Sequence, residues 1–372
     1  MVPEVDISED DEFLAEPSEH TEQDDQNTDS MNMPDCLVSA TSMSGQRVAV
    51  GCMDHNVYVS ALDNSSRLSL VSILKGHADT VTDIAVNEGQ RLIASASYDG
   101  TIRIWSSDSF EEICVVDGPS CGIEKVVWHS HMSVLVAGCE DGSLWIWNIA
   151  DGQVAAAYIC SGHTGEITGL LARNDTVVSA SVDGHLFIWD VATGISRHKL
   201  RPTGGSELHS MAIHPILGTV VVGSIKGQLS VVSLDHGRIG GTVSAHESSI
   251  EVMSFDPIGS YFCSGSIDGC IRIRDAGKIL SSARHEIKVG EAAIGTLCWH
   301  RSDTTLLFAG TSDGKIYAYS PLTGECLLTL GAGDSPILAM CLSIPSMHHC
   351  AVITCSDDGT LRSFDVETED VE

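Results

Sequence analysis

Eight times along this chain a short hydrophobic run ends in a tight polar turn, usually acidic, and is answered by a second hydrophobic run. The spacing between successive turns hardly changes. The clearest copy is Ser95-Ala96-Ser97-Tyr98-Asp99-Gly100-Thr101-Ile102-Arg103-Ile104-Trp105. The turn aspartates are Asp54, Asp99, Asp141, Asp183, Asp268, Asp313 and Asp358, with Lys226 in the remaining slot, so the gaps are 45, 42, 42, 43, 42, 45 and 45 residues. A fixed period of this size marks a repeat architecture whose single units cannot bury their apolar surface alone.

Each unit reads as four short strands. Around Asp183 the runs Glu166 to Ala172, Thr176 to Ser181 and His185 to Asp190 are rich in β-forming residues, and Ile195 to Leu200 is a weaker fourth. No stretch of useful length with helical periodicity intervenes. A four-stranded sheet repeated in this way finds cover for both faces if the sheets close into a ring. The expected fold class is all-β, an eight-bladed β-propeller over residues 36–372, preceded by a separate segment at 1–35.

That first segment holds thirteen Asp or Glu residues and no Lys or Arg. It is expected to be a disordered acidic arm, either a solubilising tail or an electrostatic lure for a basic partner. Removing those thirteen from the 51 acidic residues of the whole chain leaves 38 against the same 20 basic ones, so the ring is acidic too. Such a surface repels phosphate backbones and anionic lipid, and no run approaches eighteen consecutive apolar residues. Direct nucleic-acid or membrane binding is therefore not expected. Thirteen cysteines, an odd number with no C-x-x-C pair and no signal-peptide pattern, point to a reducing compartment, the cytoplasm first and the nucleus second.

Two units carry a full polar set: His77, Ser95, Asp99 and Trp105 in the second, and His163, Ser179, Asp183 and Trp189 in the fourth. The sixth has His246, Ser264 and Asp268, with Arg274 in place of the tryptophan. The carboxylate can accept from the imidazole, the imidazole from the hydroxyl, and the indole N–H can close the chain, satisfying groups that would otherwise be buried unpaired. A Ser/His/Asp triad built for catalysis occurs once, whereas this one recurs, so it is read as structural. There is no Gly-rich phosphate loop and no H-E-x-x-H. His348-His349-Cys350 is read as a polar loop and Cys350 and Cys355 as packed thiols. No catalytic residue, metal site or cofactor is expected.

Gly76-His77, Gly162-His163, the Asp-Gly turns and the Ile-x-Ile-Trp strands resemble the WD-repeat family of propellers across residues 36–372. The first unit departs from its pattern by lacking the turn glycine in Met53-Asp54-His55, the fifth by lacking the aspartate in Ile225-Lys226-Gly227. A narrower resemblance is carried by the third unit, Gly122-Ile123-Glu124-Lys125-Val126-Val127-Trp128-His129 continuing to Trp145-Ile146-Trp147, and by Asp117-Gly118-Pro119 where Gly-His is missing. Together with the acidic arm, these are similar to the angio-associated migratory cell protein family and its fungal counterpart. That resemblance implies a dedicated, non-enzymatic chaperone or assembly factor, which holds the basic amino-terminal segment of a newly made large-subunit ribosomal protein during ribosome biogenesis.

In such propellers partners commonly bind where the loops leading into the innermost strands meet the motif turns. Those positions here give Glu124, Glu140, Glu166, Glu207, Glu251 and Asp357, with Tyr98 and His209 between them. Like charges gathered on one rim raise one another's free energy, which a Lys/Arg-rich ligand relieves. The expected partner is a basic protein segment, ribosomal first and histone second, on a monomer. A general scaffold or substrate receptor is the remaining alternative, although the ligase signature Trp-Asp-x-Arg is absent, since Trp189-Asp190 is followed by Val191-Ala192.

The eighth unit ends its third strand near Val366, so its outer strand must come from elsewhere. Val2 to Ile7, Glu12 to Ala15 and Ser30 to Met33 are the candidates, each acidic or poorly alternating. Weak closure is expected, a three-stranded last blade being the other possibility.

Overall fold

The computed structural model describes residues 28–367 apart from 44–45, 130–131, 151–152, 302–304 and 344–348. Eight antiparallel sheets of four strands are present. Blades 1 to 8 begin with the strands Leu37–Met43, Val81–Asn87, Ile123–Trp128, Ile167–Arg173, Leu208–Ile213, Ile250–Phe255, Ile294–Arg301 and Ile337–Ser343. These leading strands touch one another in a closed cycle, the eighth against the first, so they are innermost and line the axis. In blade 4 the strands run Ile167–Arg173, Thr176–Ser181, Leu186–Asp190 and Ser196–Leu200, within a residue of the boundaries expected from sequence. Among the described residues the one helical segment is the short 3-10 turn Ala276–Lys278, and no helix is long and apolar enough to cross a membrane.

Blade-to-blade packing follows one rule. A small residue on the second strand of each blade receives the bulky residue that opens the next. The pairs are Gly51 with Val81, Gly138 with Ile167, Gly223 with Ile250, Gly265 with Ile294 and Gly310 with Ile337. Ala96 with Ile123, Ala180 with Leu208 and Cys355 with Leu37 complete the circle. Each of the eight opening residues is fully or almost fully buried, a gain of about 1.5–3 kcal/mol apiece.

Blade 8 has four strands. Thr28–Asn32 pairs antiparallel with Thr360–Glu367, in register from Thr28 opposite Phe364 to Asn32 opposite Thr360. This strand overlaps the Ser30 to Met33 candidate, and it corrects the reading of the whole span 1–35 as disordered: residues 28–35 belong to the ring. Residues 1–27, with the other two candidates, lie outside the described residues. Polarity does not prevent the pairing, because an outer strand is held through its backbone and the acid has partners. Asp29 Oδ2 accepts the Leu68 N–H of blade 1 at 2.7 Å, the Met33 N–H reaches Gly359 O at 2.8 Å, and Met33 is buried. The His348-His349-Cys350 reading is corrected as well: His349 and Cys350 open the second strand of blade 8, Cys350 is wholly buried, and 344–348 lie outside the described residues.

Two outcomes test this packing. A Cβ at Gly265 would lie 2.5 Å from Ile294 Cγ2, 2.9 Å from Ile294 Cβ and 3.1 Å from Val252 Cγ1. Gly265→Ala is therefore expected to destabilise the ring by about 1–3 kcal/mol in urea melts. Removing residues 1–33 is expected to lower Tm well below that of a chain lacking only 1–27; equal melting would separate the outer strand from closure.

Candidate functional site

One backbone hydrogen bond recurs at the mouth of every blade. The residue after the second strand donates its N–H to the carbonyl of the residue before the first. The pairs are Met53 to Cys36, Tyr98 to Thr80, Glu140 to Gly122, Val182 to Glu166, Ile225 to Glu207, Ile267 to Ser249, Ser312 to Ala293 and Asp357 to Pro336, at 2.9–3.2 Å. Immediately inside each pair the leading strand carries a β-bulge, always between its first and third residues. The extra residues are Val38, Thr82, Glu124, Thr168, His209, Glu251, Gly295 and Leu338. A bulge breaks the in-out alternation and re-aims a side chain. Two of the eight tie one blade to the backbone of the next: Thr82 Oγ1 donates to Ile123 O at 2.6 Å and Thr168 Oγ1 to Leu208 O at 2.8 Å. Glu124, His209 and Glu251 are left for other work.

The turns beside this rim are built by the polar sets. His77 Nδ1 lies 3.0 Å from Asp99 Oδ2, its Nε2 lies 2.8 Å from Ser95 Oγ, and Trp105 Nε1 donates to Ser95 Oγ at 3.0 Å. His163, Asp183, Ser179 and Trp189 repeat this at 3.2, 2.8 and 2.8 Å. His246, Asp268 and Ser264 follow at 3.1 and 2.8 Å, and Arg274 Nη1 approaches Ser264 Oγ at 3.5 Å. Asp99 also accepts the N–H groups of Ala78 and Thr101, which with His77 hold its carboxyl down at about 2 against the opposing effect of burial. The networks of blades 2 and 4 are closed by the indole N–H, whereas in blade 6 the Nε of Arg274 is left without a partner.

On the rim, Tyr98, Glu124, Glu140 and Glu166 converge from blades 2, 3 and 4. The Tyr98 phenol donates to the Glu124 carboxylate, and Glu140 Oε2 accepts the Gly122 N–H at 3.0 Å. Gly122 is needed here, because a Cβ would meet both the Glu140 carboxylate and the Tyr98 ring at 2.6 Å. Burial pushes the Glu124 carboxyl pKa up, the Tyr98 hydrogen bond and Lys125 oppose this, and the charges of Glu166 and Glu140 add to the rise. Tyr98 is raised to about 12, by burial first and then by Glu124, Glu140 and Glu166. Further round, His209 Nε2 meets Glu251 Oε2 at 3.1 Å, an ion pair that raises the imidazole pKa and lowers the carboxyl. Glu207 and Asp357 hold rim positions without joining either group; Glu207 is exposed, and Asp357 accepts the Cys36 thiol at 3.1 Å.

Residues absent from the sequence reading share the rim. Met53, Ile225 and Ile267 occupy the slot of Tyr98 and Glu140, Leu338 occupies the bulge slot of Glu124, and all four are large exposed apolar side chains. Their alignment with the motif turns was the available signal, obscured because single exposed apolar residues are common on any protein surface. The Lys125 charge acts on both Asp83 and Glu124. For metals, among the described residues Cys121, Cys139 and Asp141 bring their donor atoms within 4.8 Å of one another beside Glu140. Burial raises both thiols, Cys139 to about 12, which keeps them protonated near neutrality.

The sequence profile described as "WD domain, G-beta repeat" matches residues 68–106, 110–148, 156–190, 237–275 and 324–365, just over half the chain. The first segment starts in the outer strand of blade 1 and ends in the third strand of blade 2, so the sequence repeat runs one strand out of phase with the blade. The chain is similar to human angio-associated migratory cell protein, 24% identical over 314 residues, covering 79% of this chain and 70% of that one. Among solved structures it resembles Sqt1 of Saccharomyces cerevisiae, with TM-score 0.82 at 19% identity, covering 91% of this chain and 98% of the other. It also resembles Sqt1 of Chaetomium thermophilum bound to the N-terminus of ribosomal protein L10, with TM-score 0.77, 20% identity and coverage of 91% and 99%.

The histidines of the polar sets set an acid limit on stability. Burial lowers His77, His163 and His246, the last to about 4, so each stays neutral in the fold while the unfolded chain takes up protons from pH 6.5 downward. Stability is then complete above pH 6.5 and falls with pH, by on the order of 3 kcal/mol at pH 4 for His246 alone. His246→Gln is expected to flatten part of that slope in urea melts between pH 4 and 7. With the profile and the recurring sets together, the chain belongs to the WD-repeat family of β-propellers.

Proposed function

We propose that the rim holds a basic segment of another protein, and that the ring is a non-enzymatic chaperone or assembly factor for a newly made large-subunit ribosomal protein. The observation that carries the reading is the meeting of Tyr98, Glu124, Glu140 and Glu166, where burial and neighbouring carboxylates make the Glu124 charge unfavourable. A Lys or Arg head placed among them removes that penalty and can stack on the Tyr98 ring, which is 41% exposed. The exposed Met53, Ile225, Ile267 and Leu338 add apolar ground on the same rim. The preferred ligand is thus a segment that alternates basic and apolar side chains, rather than a uniformly basic tail. This favours a ribosomal-protein terminus over a histone tail, and the likeness to a propeller solved with the N-terminus of ribosomal protein L10 supports the same choice.

The test is binding of a basic ribosomal-protein peptide to the full chain as salt rises, before and after reversing Glu124, Glu166 and Glu251 to Lys. Affinity is expected to fall at least tenfold between 50 and 300 mM salt, as the screening length for exposed charges shrinks from about 14 Å to about 6 Å over that range. The triple reversal is expected to abolish binding. Salt-independent affinity, or full affinity in the reversed variant, overturns the reading, and a histone-tail peptide bound more tightly moves it to the histone alternative.

A further inference from the structure

Blade 6 departs from blades 2 and 4 at one buried position. Arg274 stands where they carry Trp105 and Trp189, and at 4% exposure it is nearly as buried as the indoles at 3% and 2%. An indole brings one N–H and no charge, and in both blades that N–H reaches its serine at 3.0 Å or less. Arg274 brings five donors and a positive charge. Its Nη1 comes only within 3.5 Å of Ser264 Oγ, its buried Nε has no partner, and no carboxylate forms an ion pair with it among the described residues. The nearby carboxylates are engaged elsewhere: Glu286 is paired with Arg272, and Asp268 with His246 and Arg272. Burial, and then repulsion from Arg272, pull the Arg274 guanidinium pKa down to about 10. A charge taken out of water without a counter-charge is strongly unfavourable.

The guanidinium is not sealed into the core. It lines a cavity of about 490 Å³, within the range of small-molecule sites, between the end of the blade 5 outer strand and the loop that follows the 3-10 turn. Arg272, Ser244, Ser281 and Ser282 line the same space, and so do the apolar Val243 and Leu280. Its acidic members are Glu286, neutralised by Arg272, and Glu247, whose side chain is exposed. Arg274 with its unpartnered Nε, the charge of Arg272, whose Nη groups also face His246, Asp268 and Glu286, and three hydroxyls suit the three terminal oxygens of a phosphate monoester better than the two of a carboxylate.

We propose that this cavity is an anion-binding site, in which Arg274 and Arg272, with Ser244, Ser281 and Ser282, take the phosphoryl group of a small ligand. The site uses none of the acidic rim side chains and does not depend on the function proposed for them. Occupation supplies the counter-charge that Arg274 lacks, so binding stabilises the ring.

The experiment compares inorganic phosphate with acetate and chloride at fixed pH and ionic strength, using the full chain, by thermal melting and titration calorimetry. Phosphate also stabilises proteins by exclusion from their surface, but that effect is linear in concentration and blind to Arg274. The expected result is a saturable rise in Tm with phosphate in the millimolar range that acetate does not reproduce. Arg274→Trp, which restores the residue of blades 2 and 4, should weaken phosphate binding at least tenfold. The exposed pair Ser281→Ala and Ser282→Ala should weaken it several-fold in a ring that folds normally. A response that does not saturate, or one equal in wild type, Arg274→Trp and the serine variant, overturns the proposal. Equal saturable binding of acetate overturns the phosphoryl assignment.

Discussion

The seat that each blade offers the next is the contact on which everything else in this ring depends. A four-stranded sheet has two apolar faces and no means of covering them itself. The chain solves this with one asymmetric joint repeated eight times, a Gly, Ala or Cys on a second strand against a Val, Ile or Leu at the head of the following leading strand. Because the joint sits at the inner end of each sheet, it fixes the positions of the bulge and of the mouth hydrogen bond beside it. Rim side chains are therefore placed by core packing, either on the leading strands or on the residues that flank the strands and share the mouth hydrogen bond.

Polar chemistry then divides by depth. The Asp-His-Ser chains in blades 2, 4 and 6 are buried, closed and neutral at the imidazole, and they brace turns whose carboxylates accept backbone N–H groups. At the rim the Glu124 carboxylate is partly buried and faces Glu166 and Glu140, so its charge is a cost the free protein carries. The same residue types thus sit in closed chains in one layer and on an open rim in the next; what differs is whether each charge has its partner inside the chain.

The repeat, the blade count and the membership of the polar sets were legible because each rests on side chains that recur in phase. The strand of Thr28–Asn32 was obscured because it contributes little to the core beyond Met31, while its binding comes from the backbone ladder and from Asp29, which lies outside the Ser30 to Met33 candidate. Convergence of the rim acids was foreseeable for Tyr98, Glu124, Glu140 and Glu166, which lie in neighbouring blades. It was not foreseeable for Glu207 and Asp357, since sequence alignment gives the blade and level of a residue but not the direction of its side chain. The bulges left no mark in the sequence at all. Their residues range from Gly295 to Leu338 and share only a backbone geometry. Blade 1 shows the opposite case, where His55 keeps the left-handed turn conformation at φ 73° without the glycine that the other turns use.

Those bulged positions carry an evolutionary corollary. Each stands outside the pleat, next to a fully buried neighbour that does the packing, so exchanging a bulged side chain leaves the seating of the blades untouched. What the ring displays and what keeps it standing are thereby uncoupled wherever the bulged side chain bridges no blades; Thr82, Thr168, Glu124 with Tyr98 and the His209–Glu251 pair are places where it does. A lineage could rewrite what the rim displays one letter at a time, without passing through an unfolded intermediate.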